Sequence, residues 1–144
     1  MRLTILTESD HEKVIELWDS SVSATHHYIS KKDFDFYRTI LPEYLLEVDL
    51  YGAVDKNNKL KAFMGVSSDK IEMLFVKPKE MGKGYGKFLV NHAINKLGIK
   101  KVDVNEQNTK ALGFYEKMGF EMVSRSELDG EGLAYPILAL KFKD

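Results

Sequence analysis

The alternation of apolar and polar residues along the chain predicts seven strands and four helices in mixed order. Arg2–Leu6 alternates as a first strand. Ser9 and Glu12 have the spacing of a capping box, opening a helix whose apolar face is Val14, Leu17, Trp18 and Val22. That helix turns polar at Ser20-Ser21 and ends toward Thr25-His26-His27. A second helix is expected from about Ser30 to Glu47, with Phe34, Tyr37, Ile40, Leu41 and Leu45 at helical spacing and Pro42 kinking or splitting it. Strands follow near Leu50–Val54 and Leu60–Val66, joined by the turn Lys56-Asn57-Asn58-Lys59. A strand then begins near Lys70 and ends at Pro78.

The next helix is predicted from about Tyr85 to Leu97, with Gly98 at the position where a positive φ is wanted. Lys100–Asn105 reads as a strand, Asn108 caps a further helix, and Gly119 ends it. Strands near Phe120–Ser126 and Ala134–Lys141 flank the polar loop Asp129-Gly130-Glu131-Gly132. The antiparallel meander, followed by a strand–helix–strand unit, predicts an α/β (α+β) fold. Its mixed sheet is mostly antiparallel with a central parallel pair, and it has helices on both faces.

At 144 residues the chain is expected to be one domain, residues 1–144. Its charge balance, 21 basic against 22 acidic residues, argues against a nucleic-acid partner. No apolar run approaches the roughly 20 residues that span a bilayer, so no membrane partner is expected. Zero cysteines excludes a disulfide scaffold, a thiolate zinc site and a cysteine nucleophile, and suits the cytoplasm. No His/Asp/Glu cluster has metal-ligand spacing, so no metal is expected.

The chemistry concentrates in Lys70–Leu89, where Gly82, Gly84 and Gly86 follow a strand and open a helix. Glycines let the backbone take positive φ and approach a ligand, and helix-terminal N–H groups attract anions. The stretch therefore reads as a phosphate cradle, with a ligand-free glycine turn as the alternative. P-loop spacing fails, because Gly86-Lys87 is followed by Phe88 and Met81 stands where the first glycine belongs. The dinucleotide fingerprint fails in both registers, at Lys87 and at Leu89.

Gly84 and Gly86 after a strand, then Asn108 and the run Phe114-Tyr115-Glu116-Lys117-Met118-Gly119-Phe120, resemble the GNAT superfamily of N-acetyltransferases. The resemblance covers nearly the whole chain, and its ends (Ser21–Tyr28 and Gly132–Leu140) lie nearest the bacterial YjaB-type branch. Met81 departs from the family pattern, which has Gln or Arg there. The resemblance implies a twisted sheet of about seven strands and acetyl-CoA as cosubstrate. Backbone groups of Leu74, Phe75 and Val76 would hold the pantetheine arm, and the loop Met81, Gly82, Lys83, Gly84, Tyr85, Gly86 and Lys87 would hold the diphosphate. Asn105 and Asn108 would bond the arm's amides or hydroxyls.

Acetyl transfer to an amine needs a neutral amine, donors for the oxyanion and a proton for the departing thiolate. Tyr115 is the candidate for that last proton, with a core aromatic as the competing reading. For the base, His26 comes first and Glu72 second, with ordered water as a rival. The resulting expectation is direct acetyl transfer to a primary amine of a small molecule, peptide or protein, by a monomer or homodimer. A nonenzymatic acyl-CoA sensor on the same fold and a nucleotide-binding module remain as alternatives.

Overall fold

The computed structural model describes all residues, Met1–Asp144. A seven-stranded sheet runs in the order β1-β2-β3-β4-β5-β7-β6. The strands are β1 (Arg2–Leu6), β2 (Asp49–Val54), β3 (Leu60–Val66), β4 (Lys70–Val76), β5 (Lys101–Asn105), β6 (Phe120–Ser126) and β7 (Ile137–Phe142). The helices are α1 (His11–Thr25), α2 (Lys31–Leu45), α3 (Tyr85–Lys96) and α4 (Thr109–Met118). Every neighbouring pair is antiparallel except β4 and β5.

The two sheet faces carry separate cores, because strand side chains alternate between faces. On one face Val14, Leu17, Trp18 and Val22 of α1 and Leu41 and Leu45 of α2 pack on Leu50, Phe63 and Met73. On the other, Leu89, Val90 and Ala93 of α3 meet Ala62, Met64, Val66 and Ile71. Phe63 is thus fully buried on the α1/α2 side between two residues buried on the α3 side.

Three expectations need correcting. Helix α1 is not opened by a Ser9/Glu12 box. A short 3-10 turn (Glu8–Asp10) precedes it, and the Thr7 N–H donates to the Asp10 carboxylate at 2.8 Å. Pro42 does not split α2, which runs on to Leu45. Pro42 lies in its last turn, so few intrahelical bonds remain beyond it to be disturbed. Strand β7 begins at Ile137 rather than Ala134, because the Leu133–Pro136 segment is tied off locally, with Tyr135 N–H donating to the Leu133 carbonyl.

The register of β3 against β4 slips between Gly65/Met73 and Val66/Ile71, leaving Glu72 as one extra residue. This is a β-bulge, which bends its strand and re-aims side chains. Strict alternation would put Ile71 and Met73 on one face. The bulge instead sends Ile71 to the α3 core and Met73 to the α1/α2 core. Just before it, β4 pairs with β5 only at Lys70/Lys101 and Ile71/Val102. Beyond Ile71 the two strands diverge, β4 continuing with β3 and β5 with β7.

Candidate active site

The divergence of β4 from β5 opens a cleft of about 520 Å³. Met73–Val76 forms one wall and Val104–Asn105 the other, with the N-terminal end of α3 and Lys110, Ala111, Phe114 and Tyr115 of α4 closing it. At the α3 end Gly82 and Gly84 take φ of 81° and 94°, a region that side-chain-bearing residues rarely adopt. Gly84 is the residue immediately before α3, so its conformation sets how the loop enters the helix. A Cβ on Gly86 would sit 3.4 Å from the Phe114 ring and 3.6 Å from Val76, both cleft residues. The loop is thus pared down where main chain faces the cleft.

A second cleft of about 320 Å³ lies on the α1/α2 side. His26, Glu72, Met73, Phe75 and Asn105 line both, so the clefts meet at these side chains. Glu72, the bulged residue, accepts from the Tyr44 hydroxyl at 3.0 Å and lies 3.4 Å from the Lys70 ammonium. His26 follows the last residue of α1. The Thr25 hydroxyl donates to the Ser21 carbonyl at 2.7 Å, so at its 2.7 Å contact with His26 it must accept from Nδ1–H. Nε2 then carries the lone pair, 3.5 Å from the amide nitrogen of Asn108. Burial, followed by the charge of His27, lowers the His26 pKa to about 4, so the ring is neutral at neutral pH.

Residues 19–136 match the acetyltransferase (GNAT) domain. The peptidyl-lysine N-acetyltransferase YjaB of Salmonella typhimurium is 40% identical over 129 residues, 90% of this chain and 89% of that one. The chain belongs to the GNAT acetyltransferase family. It is an N-acetyltransferase. The solution structure of apo YjaB from Escherichia coli superposes with a TM-score of 0.84 at 36% identity, covering 99% of this chain and 98% of that one. A PaiA N-acetyltransferase from Thermoplasma acidophilum, solved in complex with coenzyme A, has the same fold with a TM-score of 0.73 at 23% identity, covering 99% of this chain and 100% of that one.

In this GNAT enzyme the cleft between β4 and β5 gathers Leu74, Phe75, Val76, Met81, Gly82, Gly84, Tyr85, Gly86, Lys87, Asn105, Asn108 and Tyr115 of the residues singled out in the sequence. Lys83 does not line it. Its ammonium pairs with Glu80 at 3.1 Å, and Glu80 also pairs with Lys61 at 3.1 Å. The side-chain carbonyls of Asn105 and Asn108 are already engaged, accepting from Gln107 N–H at 3.0 Å and Ala111 N–H at 3.2 Å. Each asparagine keeps its NH₂ donors and a second carbonyl lone pair, and the Asn108 NH₂ faces His26 Nε2 at 3.5 Å. Tyr115 is buried, edge-on to Phe114 and Phe120, and burial raises its pKa, so the phenol stays protonated.

Sequence reasoning missed Lys110 and Phe114 as cleft residues and Tyr44 as the partner of Glu72. Lys110 and Phe114 were within reach, because both belong to the helix of the Asn108 motif. Tyr44 carried no signal, since its pairing with Glu72 joins residues 28 apart through the bulge.

Proposed function

We propose that this acetyltransferase moves the acetyl group of acetyl-CoA to the side-chain amine of a lysine in a peptide or protein. The observation that carries the reading is the meeting of two clefts at His26 and Glu72, one suited to the thioester and the other to the amine. The name of the YjaB relative, a peptidyl-lysine N-acetyltransferase, supports this acceptor class.

The fit to coenzyme A rests on three features. The divergence leaves β4 main chain from Met73 to Val76 unpaired on its β5 side. Gly82 and Gly84 hold positive φ before the N-terminus of α3. Lys87 and Lys110 line the cleft outside any ion pair with a carboxylate. When bound, acetyl-CoA supplies an activated acyl group on a thiolate leaving group. Backbone N–H groups of Leu74–Val76 orient the arm, and one of them polarises the carbonyl. Amide nitrogens at the α3 N-terminus hold the diphosphate.

On the acceptor side, Glu72 attracts the incoming ammonium and takes its proton, directly or through water, while Tyr44 and Lys70 fix the carboxylate. His26, neutral, offers its Nε2 lone pair to the amine in place of the long 3.5 Å contact with the Asn108 amide. This reading ranks Glu72 ahead of His26 as the base. Tyr115 gives its phenol proton to the departing thiolate. The reading includes a cytoplasmic monomer or homodimer.

Thiol release and mass spectrometry on lysine peptides incubated with enzyme and acetyl-CoA test the proposal. Glu72→Gln should lower kcat/KM by about 100-fold with acetyl-CoA affinity unchanged. Acetylation of free small amines with no peptide lysine modified would overturn the acceptor class.

A further inference from the structure

The second cleft has a far end as well as a reacting end. Beyond the junction it is lined by Tyr37 from α2 and by Asp129 and Glu131 from the loop between β6 and β7. No lysine or arginine lines it, and its histidine is neutral. None of the protein's ion pairs involves Asp33, Asp129 or Glu131. Asp33 and Asp129 are held in place by neutral donors instead. Asp129 accepts from the N–H groups of Glu131 and Leu133, both at 2.9 Å, and from the Tyr37 hydroxyl. The Tyr135 hydroxyl donates to Asp33 and accepts from the Ser30 N–H at 3.2 Å. Two reciprocal tyrosine–aspartate bonds therefore clasp α2 to the loop and keep two negative charges beside the rings of Tyr37 and Tyr135, 6.3 Å apart.

Of the clasp, Tyr37 and Asp129 line the cleft, and carboxylates without a cationic partner beside an aromatic ring attract positive charge. In the reading above the reacting amine would sit against Glu72, which also lines this cleft. Resting on the peptidyl-lysine reading above, we propose that the acceptor carries a second positive charge: a lysine or arginine neighbouring the acetylated lysine, held at Asp129 and Glu131. Asp129 is fixed by the clasp, while Glu131 is exposed and free to follow the incoming side chain.

The test is steady-state kinetics with saturating acetyl-CoA and three peptides identical except for the residue beside the lysine: arginine, alanine or glutamate. The expected order of kcat/KM is arginine, alanine, glutamate, with at least about a fivefold step from first to second, the scale of one or two partly exposed charge pairs. The step should shrink at high salt. Glu131→Lys should abolish or invert the order while acetyl-CoA affinity, measured by calorimetry, stays unchanged. Equal kcat/KM for the three peptides overturns the second charge and leaves lysine acetylation standing. No transfer to any peptide, with acetyl-CoA bound, overturns the acceptor reading beneath it. A free aliphatic polyamine preferred over the arginine peptide overturns the peptide assignment.

Discussion

Gly86 separates stability from cofactor affinity. It lies in the first turn of α3, where alanine is favoured over glycine by about 1 kcal/mol. Its missing Cβ faces Phe114 and Val76 in the cleft. Gly86→Ala should therefore leave the melting temperature equal or higher and weaken acetyl-CoA binding, which calorimetry beside thermal denaturation would measure. Gly84 gives a less clear answer, because its φ of 94° strains any substituted side chain. Tyr115→Phe keeps ring and packing and removes one oxygen. If the phenol protonates the thiolate, single-turnover kcat should fall at least about tenfold with little change in cofactor affinity. Full turnover in the folded variant would return Tyr115 to a packing role. Tyr28 gives the opposite test, since its hydroxyl is the one buried side-chain polar atom without a partner. Tyr28→Phe should cost no stability, because removing an unsatisfied buried group removes its desolvation penalty.

Among the elements, α1 carries a built-in acid sensitivity at its C-terminal end. His26 there has a folded pKa of about 4 against an ordinary 6.5, so below 6.5 the unfolded chain binds a proton that the folded chain does not. Its contribution to stability is fully present above pH 6.5. It is lost as pH falls toward 4, by about 3 kcal/mol at most for a shift of this size. Urea denaturation of the parent and of His26→Gln across pH 4–7 should show a smaller slope in the variant. The same shift places any His26 limb in the activity profile near pH 4, not 6.5.

How far the elements could be read from sequence follows from where their signals lie. Strand β3 was readable to the residue, because its turn, its Asn58 at φ 61° and its apolar run are all local. Helix α4 was readable through its Asn108 cap and its Gly119 at φ 105°. The bulge at Glu72 was not, since it exists only in the register between two strands. The Tyr37–Asp129 and Tyr135–Asp33 clasp was equally hidden, because residues 92 and 102 apart meet only once the sheet is assembled.

At the scale of the whole molecule, β1–β4 and β5-β7-β6 form two blocks of sheet that share only two register pairs, Lys70/Lys101 and Ile71/Val102. An arm of coenzyme A lying along Leu74–Val76 would act as a splint between them. Without it, native-state hydrogen exchange should show the two blocks opening with different free energies. With acetyl-CoA at about 100 times its dissociation constant, stability should rise by about 2.7 kcal/mol. Protection should then converge across β4 and β5 rather than increase only at the loop. If the gap admits the cosubstrate as proposed, the ligand becomes a structural member, and depletion of acetyl-CoA would loosen the protein as well as stop its reaction.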